Sequence, residues 1–104
     1  MDYFELECCV SAWAEERDIF KKSTPIKQAL KTQEELTELM NAIVNEDKAE
    51  IEDALGDIMV TLLIQADMQD TSLEECLTKA YKTISSRTGK MINGQFVKDD
   101  HGRI

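Results

Sequence analysis

Six carboxylates fall in two short runs: Glu34, Glu35 and Glu38 between Leu30 and Val44, and Glu50, Asp53 and Asp57 between Asp47 and Met68. Both runs lie in strongly helical sequence and place acids beside apolar positions instead of on a free polar face. Glu35 and Glu38 are three residues apart, and Asp53 and Asp57 four, so an antiparallel pair of helices can bring four carboxylates together. Such a group repels itself unless a cation sits within it. Hard oxygen ligands of this kind select Mg²⁺ or Mn²⁺ over zinc. The competing reading is that these are solvated helix faces, for which acid-rich sequence is common.

Other chemistries fit less well. A carboxylate-bridged di-iron bundle needs Glu-x-x-His on two helices, and the single histidine, His101, lies in the tail, where it reads as a solvated end residue. The sequence has no calcium loop of alternating acids around a glycine, no zinc spacing and no glycine-rich phosphate loop. No Ser or Cys has a histidine partner on a rigid element.

The elements that must carry the acids can be read from caps and periodicity. A first helix is expected from about Asp2 to Lys21, with Phe4, Cys8, Ala12 and Ile19 as its buried stripe. Trp13 on this helix suits a core or subunit interface, or a base-stacking role. Thr24 caps a second helix over Pro25 to Val44, with Pro25 in its first turn, where a missing amide proton costs nothing. At about 100° per residue, Leu36, Leu39, Met40 and Ile43 make one apolar face, with Glu35 at its edge, looking into a groove. After the turn Asn45 to Asp47, a third helix runs to about Met68, capped by Asp47 and apolar nearly all round after Asp57, so it should be the most buried. Gly56 within it calls for a reason such as close helix approach. Ser72 and Glu75 form a capping-box pattern for a fourth helix to about Ser86, with Leu73, Leu77, Ala80 and Ile84 as its stripe. Lys90 to Ile92 and Gln95 to Lys98 then read as two short strands around Asn93-Gly94, and residues 99–104 as a frayed end.

The fold class expected is therefore all-α: a four-helix domain over residues 1–88, then a hairpin-like tail over 89–104 that packs on the bundle or on a partner subunit. The 104 residues make one domain with a net charge of −9. Residues 1–73 hold 17 acids and 6 bases, whereas residues 74–104 hold 4 acids and 6 bases. That balance argues against nucleic-acid binding, which rests on Lys and Arg displacing counterions. The start of the chain lacks a signal-peptide pattern and no run is long enough for a membrane span. Cys8 and Cys9 are adjacent and Cys76 is distant, a set that suits reduced thiols in the cytoplasm.

Three stretches carry a family resemblance. The run Leu30 to Leu39, LKTQEELTEL, resembles the Leu-Lys-Leu-x-Glu-Glu-x-Gly-Glu-Leu signature of the MazG-like all-α nucleoside triphosphate pyrophosphatases. Leu55-Gly56-Asp57, followed by Ile-Met-Val, resembles their second motif, and Ala80 to Lys98 resembles the ending of the short, single-domain members found in bacteria and phages. The resemblance covers roughly residues 11–98. It implies a four-helix MazG-like bundle and Mg²⁺-dependent hydrolysis of a nucleoside triphosphate between the α and β phosphates, giving a monophosphate and pyrophosphate.

By position, Glu35 and Glu38 match the family's first pair of metal ligands and Asp57 its last. The family pattern continues Glu-x-x-Asp, but the residue three before Asp57 is Ala54. Asp53, about 40° from Asp57 on the wheel, is the substitute, with Glu50 as an outer ligand. A carboxylate not fully used by metal, Glu34 or Glu35, can accept a proton from water. Lys31, Lys79, Arg87 and Lys90 are candidates to balance the triphosphate, each with a plain surface reading beside it. Trp13, Tyr81 and Phe96 are candidates for base selection. The leading expectation is an Mg²⁺-dependent pyrophosphatase, with Mn²⁺ as a substitute, acting as a homodimer or homotetramer. The runner-up is a helical nucleotide-binding or regulatory protein of the same fold that has lost turnover, with Ala54 as its mark. A third reading is a plain helical dimerisation module.

Overall fold

The computed structural model describes residues 1–99, so His101 and the rest of the tail lie outside the described residues. The fold is all-α with a short hairpin: α1 (Tyr3–Glu16), α2 (Ile19–Lys22), α3 (Pro25–Val44), α4 (Lys48–Met68), α5 (Leu73–Ile84), β1 (Gly89–Ile92) and β2 (Gln95–Lys98). The chain divides into two compact units, one over Met1–Leu73 and one from Glu74 onward, and each is described by itself.

In the first unit the local caps set the helices. Asp2 accepts from the Glu5 amide at 2.8 Å, Thr24 from Lys27 at 3.3 Å and Asp47 from Glu50 at 3.1 Å. Each satisfies an amide that the first helical turn leaves without a partner. The single first helix expected from the sequence is two helices. Asp18 adopts the left-handed conformation at φ 61°, which Asp tolerates better than most residues, and the chain turns there before α2.

The principal packing is α3 against α4, with α1 lying across α4. As expected, α4 is the most buried helix, through Ala54, Thr61, Leu63, Ile64 and Ala66. On α1 the packed face is not Phe4, Cys8 and Ala12, which are exposed, but Glu7, Val10, Ser11 and Ala14, roughly 100° round the helix. Ser11 fixes that rotation by donating to Asp67 on α4 at 2.6 Å. Ala14 is fully buried at the crossing, where a longer side chain has no room. Ala14→Leu is expected to cost about 1–3 kcal/mol of stability by overpacking, measured by urea unfolding; an unchanged midpoint would mean that α1 is not held against α4.

The α3 face is also corrected. Leu36, Met40 and Ile43 are 47, 52 and 53% exposed, while Gln28, Thr32, Glu35, Leu39 and Ala42 turn toward α4. A single neighbouring helix covers a stripe, not a half-cylinder, and here the covered stripe is the polar one. Its threonine is tied across to α4: Thr32 Oγ1 lies 2.9 Å from Thr61 Oγ1, and Thr61 donates to the Ile58 carbonyl at 2.7 Å. Gln65 donates to the Pro25 carbonyl at 2.8 Å, pinning the start of α3. Close approach does not explain Gly56, because a Cβ there would meet nothing within 4 Å.

In the second unit, α5 starts one residue after Ser72. Its expected core positions Leu77 and Ile84 are exposed, as is Tyr81. β1 and β2 pair antiparallel from Gly89 opposite Lys98 to Ile92 opposite Gln95. Asn93 and Gly94 both take positive φ, at 52° and 82°, the turn whose twist matches a two-residue hairpin. Gly89 extends the first strand beyond the expected start at Lys90. A Cβ there would collide with the Val97 carbonyl and the Phe96 ring, which is why glycine occupies it.

Candidate metal centre

The hairpin of α3 and α4 brings Glu35, Glu38 and Asp57 together, with one oxygen from each within 4.8 Å of the others. The spacing accounts for it. Glu35 and Glu38 stack one turn apart on α3, and Asp57 comes from the antiparallel partner helix.

Glu35 is the unusual member. It is only 7% exposed, and its Oε2 is buried with no hydrogen-bond partner. The other oxygen, Oε1, lies 3.6 Å from the Lys31 ammonium. Burial pushes the Glu35 carboxyl above its ordinary value, a hydrogen bond and repulsion from Glu38 add to that shift, and Lys31 opposes it. An ionised carboxylate with an orphaned oxygen is expensive to keep in a protein interior. Glu35, Glu38 and Asp57, the last two exposed and able to adjust, would hold a divalent cation, which would supply the free oxygen with a partner. The donor set is all oxygen and suits a hard cation.

The other acids are arranged around these three. Glu34 is exposed and pairs with Lys31 at 3.7 Å, so one lysine serves both Glu34 and Glu35. Asp53 is exposed on α4 and stands outside the three-carboxylate group. Ala54, at the position where the resemblance leads one to expect an acid, is 4% exposed. Glu50 lies beside Glu38 in a neighbouring polar recess with Asn41, Asn45 and Asp47.

Glu35 and Asp57 stand in a cleft of about 470 Å³ whose lining also includes Trp13, Ile19, Lys27, Gln28, Lys31, Val60, Thr61 and Ile64. Trp13 is half exposed and is not a core residue of this chain; the Arg17 guanidinium lies 5.6 Å from its ring centre. Lys31 and Trp13 are thus the expected substrate-binding residues that share a cleft with the acids. Lys79 and Tyr81 on α5, Arg87 after it and Lys90 on β1 belong to the second unit, all exposed. Lys27 and Gln28 escaped the sequence reading. Gln28 could have been found, since it lies seven residues before Glu35 and so within about 20° of it on the helix.

Among the described residues no helix is long and apolar enough to cross a membrane.

The family model for the MazG nucleotide pyrophosphohydrolase domain matches residues 23–92, about two thirds of the chain. That span holds α3, α4 and the whole carboxylate group. The chain is also 35% identical over 68 residues to an uncharacterised 18.2 kDa protein of the rep-hol intergenic region of Haemophilus phage HP1. The match takes in 64% of this chain and 42% of the phage protein, so the chain spans less than half of that relative's length. No solved structure matches.

Proposed function

The chain belongs to the MazG nucleotide pyrophosphohydrolase domain family, and from that premise we propose that it hydrolyses nucleoside triphosphates between the α and β phosphates with Mg²⁺, or Mn²⁺ in its place. The observation that carries this reading is the buried, orphaned oxygen of Glu35 beside Glu38 and Asp57. Those three residues would hold the metal, and exposed Asp53 and Glu50 would act at most through water. When bound, Mg²⁺ neutralises phosphate charge and favours deprotonation of the attacking water.

The chain's own groups do the rest. Lys31, set between Glu34 and Glu35, is poised to meet phosphate oxygens from the cleft wall. As the water oxygen bonds to the α phosphorus, the bond to the bridging oxygen breaks and pyrophosphate leaves with the electron pair. The water proton passes to a carboxylate. Glu34, beside the carboxylates that would hold the metal and paired with Lys31, suits that role, with any Glu35 oxygen that the metal leaves free as the alternative acceptor. The apolar residues on the cleft wall and Trp13 would face the nucleoside. Lys79, Tyr81, Arg87 and Lys90 stay in the proposal as candidates for binding substrate.

The exposed apolar face of α3, Leu36, Met40 and Ile43, supports self-association as a homodimer or homotetramer. Cys8 and Cys9 are free and exposed, in keeping with a reducing cytoplasmic setting. One observation favours a second reading, a nucleotide-binding protein without turnover: buried Ala54 offers no ligand where an acid was expected.

The test is pyrophosphate release from a panel of ribo- and deoxyribonucleoside triphosphates with and without Mg²⁺. Metal-dependent release is expected, and nucleotide binding without release would establish the second reading instead. A pH dependence follows too. Because the folded-state pKa of Glu35 is raised, its contribution to the stability of the metal-free protein is present at low pH and is lost as pH rises through the folded value. Mg²⁺ requires the deprotonated form, so the rise in melting temperature that Mg²⁺ produces should grow as the pH is raised through the folded value. Melting scans in EDTA and in Mg²⁺ measure it, and an increment independent of pH would remove Glu35 from the site.

A further inference from the structure

We propose that Gln28 is the residue that selects the nucleobase, by pairing its side-chain amide with the polar edge of the base. The inference rests on the reading of Glu35, Glu38 and Asp57 as the phosphate end of a nucleotide site.

Gln28 is 8% exposed, and among the described residues its side-chain amide has no hydrogen-bond partner. It lines the same cleft as Glu35 and Asp57. Its side-chain nitrogen and oxygen are not buried orphans; they reach the open cleft, where they are free to pair with a ligand. The other buried hydroxyl on this wall is already committed, since Thr61 bonds Thr32 and the Ile58 carbonyl. Gln28 is therefore an uncommitted amide, and among the uncharged side chains of the cleft it alone offers a separate donor and acceptor side by side.

Position and surroundings fit a base. Seven residues on one helix face put Gln28 about 10 Å from Glu35 along α3, two turns away from the carboxylates and on the scale of the reach from a nucleotide's phosphate to its base. Trp13, Ile19, Val60 and Ile64 give that cleft apolar walls, so an amide donor and acceptor side by side stand in a mostly apolar slot. That is the composition of a small-molecule site in which a few polar groups set specificity. Glutamine presents both polarities at once and can bond two adjacent positions of a base edge. A site that pairs both groups discriminates against ligands that fill the cleft, displace water from the amide and leave one of its two groups without a partner.

Trp13, the chain's single tryptophan, shares this cleft and provides the readout. Quenching of its fluorescence by non-hydrolysable α,β-methylene triphosphates of each base, in Mg²⁺, gives an affinity for each. For the unaltered protein, affinities are expected to spread by about tenfold or more between the best and worst base. In Gln28→Leu, and in Gln28→Met as the closer match in shape, the spread should shrink to within about threefold, while helical content and the Mg²⁺ requirement are kept. Variants that keep the original spread, or an unaltered protein that binds every base alike, would overturn the assignment. Pyrophosphate release is measured in parallel. Base-selective, Gln28-dependent binding without release would contradict hydrolysis and still support Gln28 as the selector.

Discussion

Asp57→Asn is expected to reduce Mg²⁺-dependent pyrophosphate release by about 10³-fold or more, with helical content and oligomeric state unchanged. Asp57 is the single acid that α4 adds to the group within 4.8 Å, so its loss leaves two carboxylates from one helix and opens the site on the opposite side. Asparagine keeps the shape and one oxygen but not the charge, and charge is what a divalent ion among phosphates demands. The residue is exposed, so the substitution removes no core packing and the fold should not register it. Steady-state rates over a range of Mg²⁺ would check this. Full activity would remove Asp57 from the site, and partial recovery at high Mg²⁺ would mark it as a ligand that weakens binding when lost.

Glu35→Gln is expected to separate stability from function. Turnover should fall to the level of the uncatalysed reaction, while the metal-free protein becomes more stable near neutral pH. The carboxylate is buried with one oxygen unpartnered, and both burial and Glu38 oppose its ionisation. A glutamine of the same shape removes the charge and lets its amide donate to Glu38, where the acid has to share a proton. What is lost is the Lys31 pair, whose lysine is half exposed and contributes little through screening. A gain of about 1 kcal/mol is a reasonable scale for the exchange, seen as a melting temperature several degrees higher in EDTA. A less stable variant would mean that Glu35 is held by the fold and not for a ligand.

Local signals were the legible part of this fold. Thr24-Pro25, Asp47 and Asn93-Gly94 act within a few residues of themselves, and the structure places caps and a turn at each. The grouping of the three carboxylates was legible for a related reason: Glu35 and Glu38 share a face by helix period, and a short turn folds Asp57 back against them. What failed was the choice of face. The most apolar stripe of α3, Leu36, Met40 and Ile43, lies outside the helix pair, because α4 covers the neighbouring stripe through Gln28, Thr32 and Glu35. Hydrophobic periodicity reports which face avoids water in the final assembly, and it does not report which neighbour covers it. The same limit rotated α1, whose orientation is set by Ser11 on Asp67, a contact 56 residues apart in sequence. The break at Asp18 was hidden because aspartate both continues helices and tolerates left-handed backbone, and only the packing of α1 and α2 decides between them.

The part of the site that escaped notice has the same origin. Gln28 carries no motif and looks like any surface glutamine near a helix start. Its interest comes from a burial that depends on α4 and on the chain around Trp13 and Ile19. Asp53 and Ala54 show the converse: spacing brings Asp53 near the stripe of Asp57, but the side of α4 that faces the helix interface is occupied by Ala54.

Three carboxylates on one helical hairpin are proposed to support attack on the α phosphorus of a nucleoside triphosphate. Hydrolysis in ¹⁸O-labelled water with Mg²⁺, with products resolved by mass, tests it most directly. The label is expected in the monophosphate, with unlabelled pyrophosphate formed beside it in equal amount. Label in inorganic phosphate with a diphosphate product, or no metal-dependent product from any triphosphate, would contradict it.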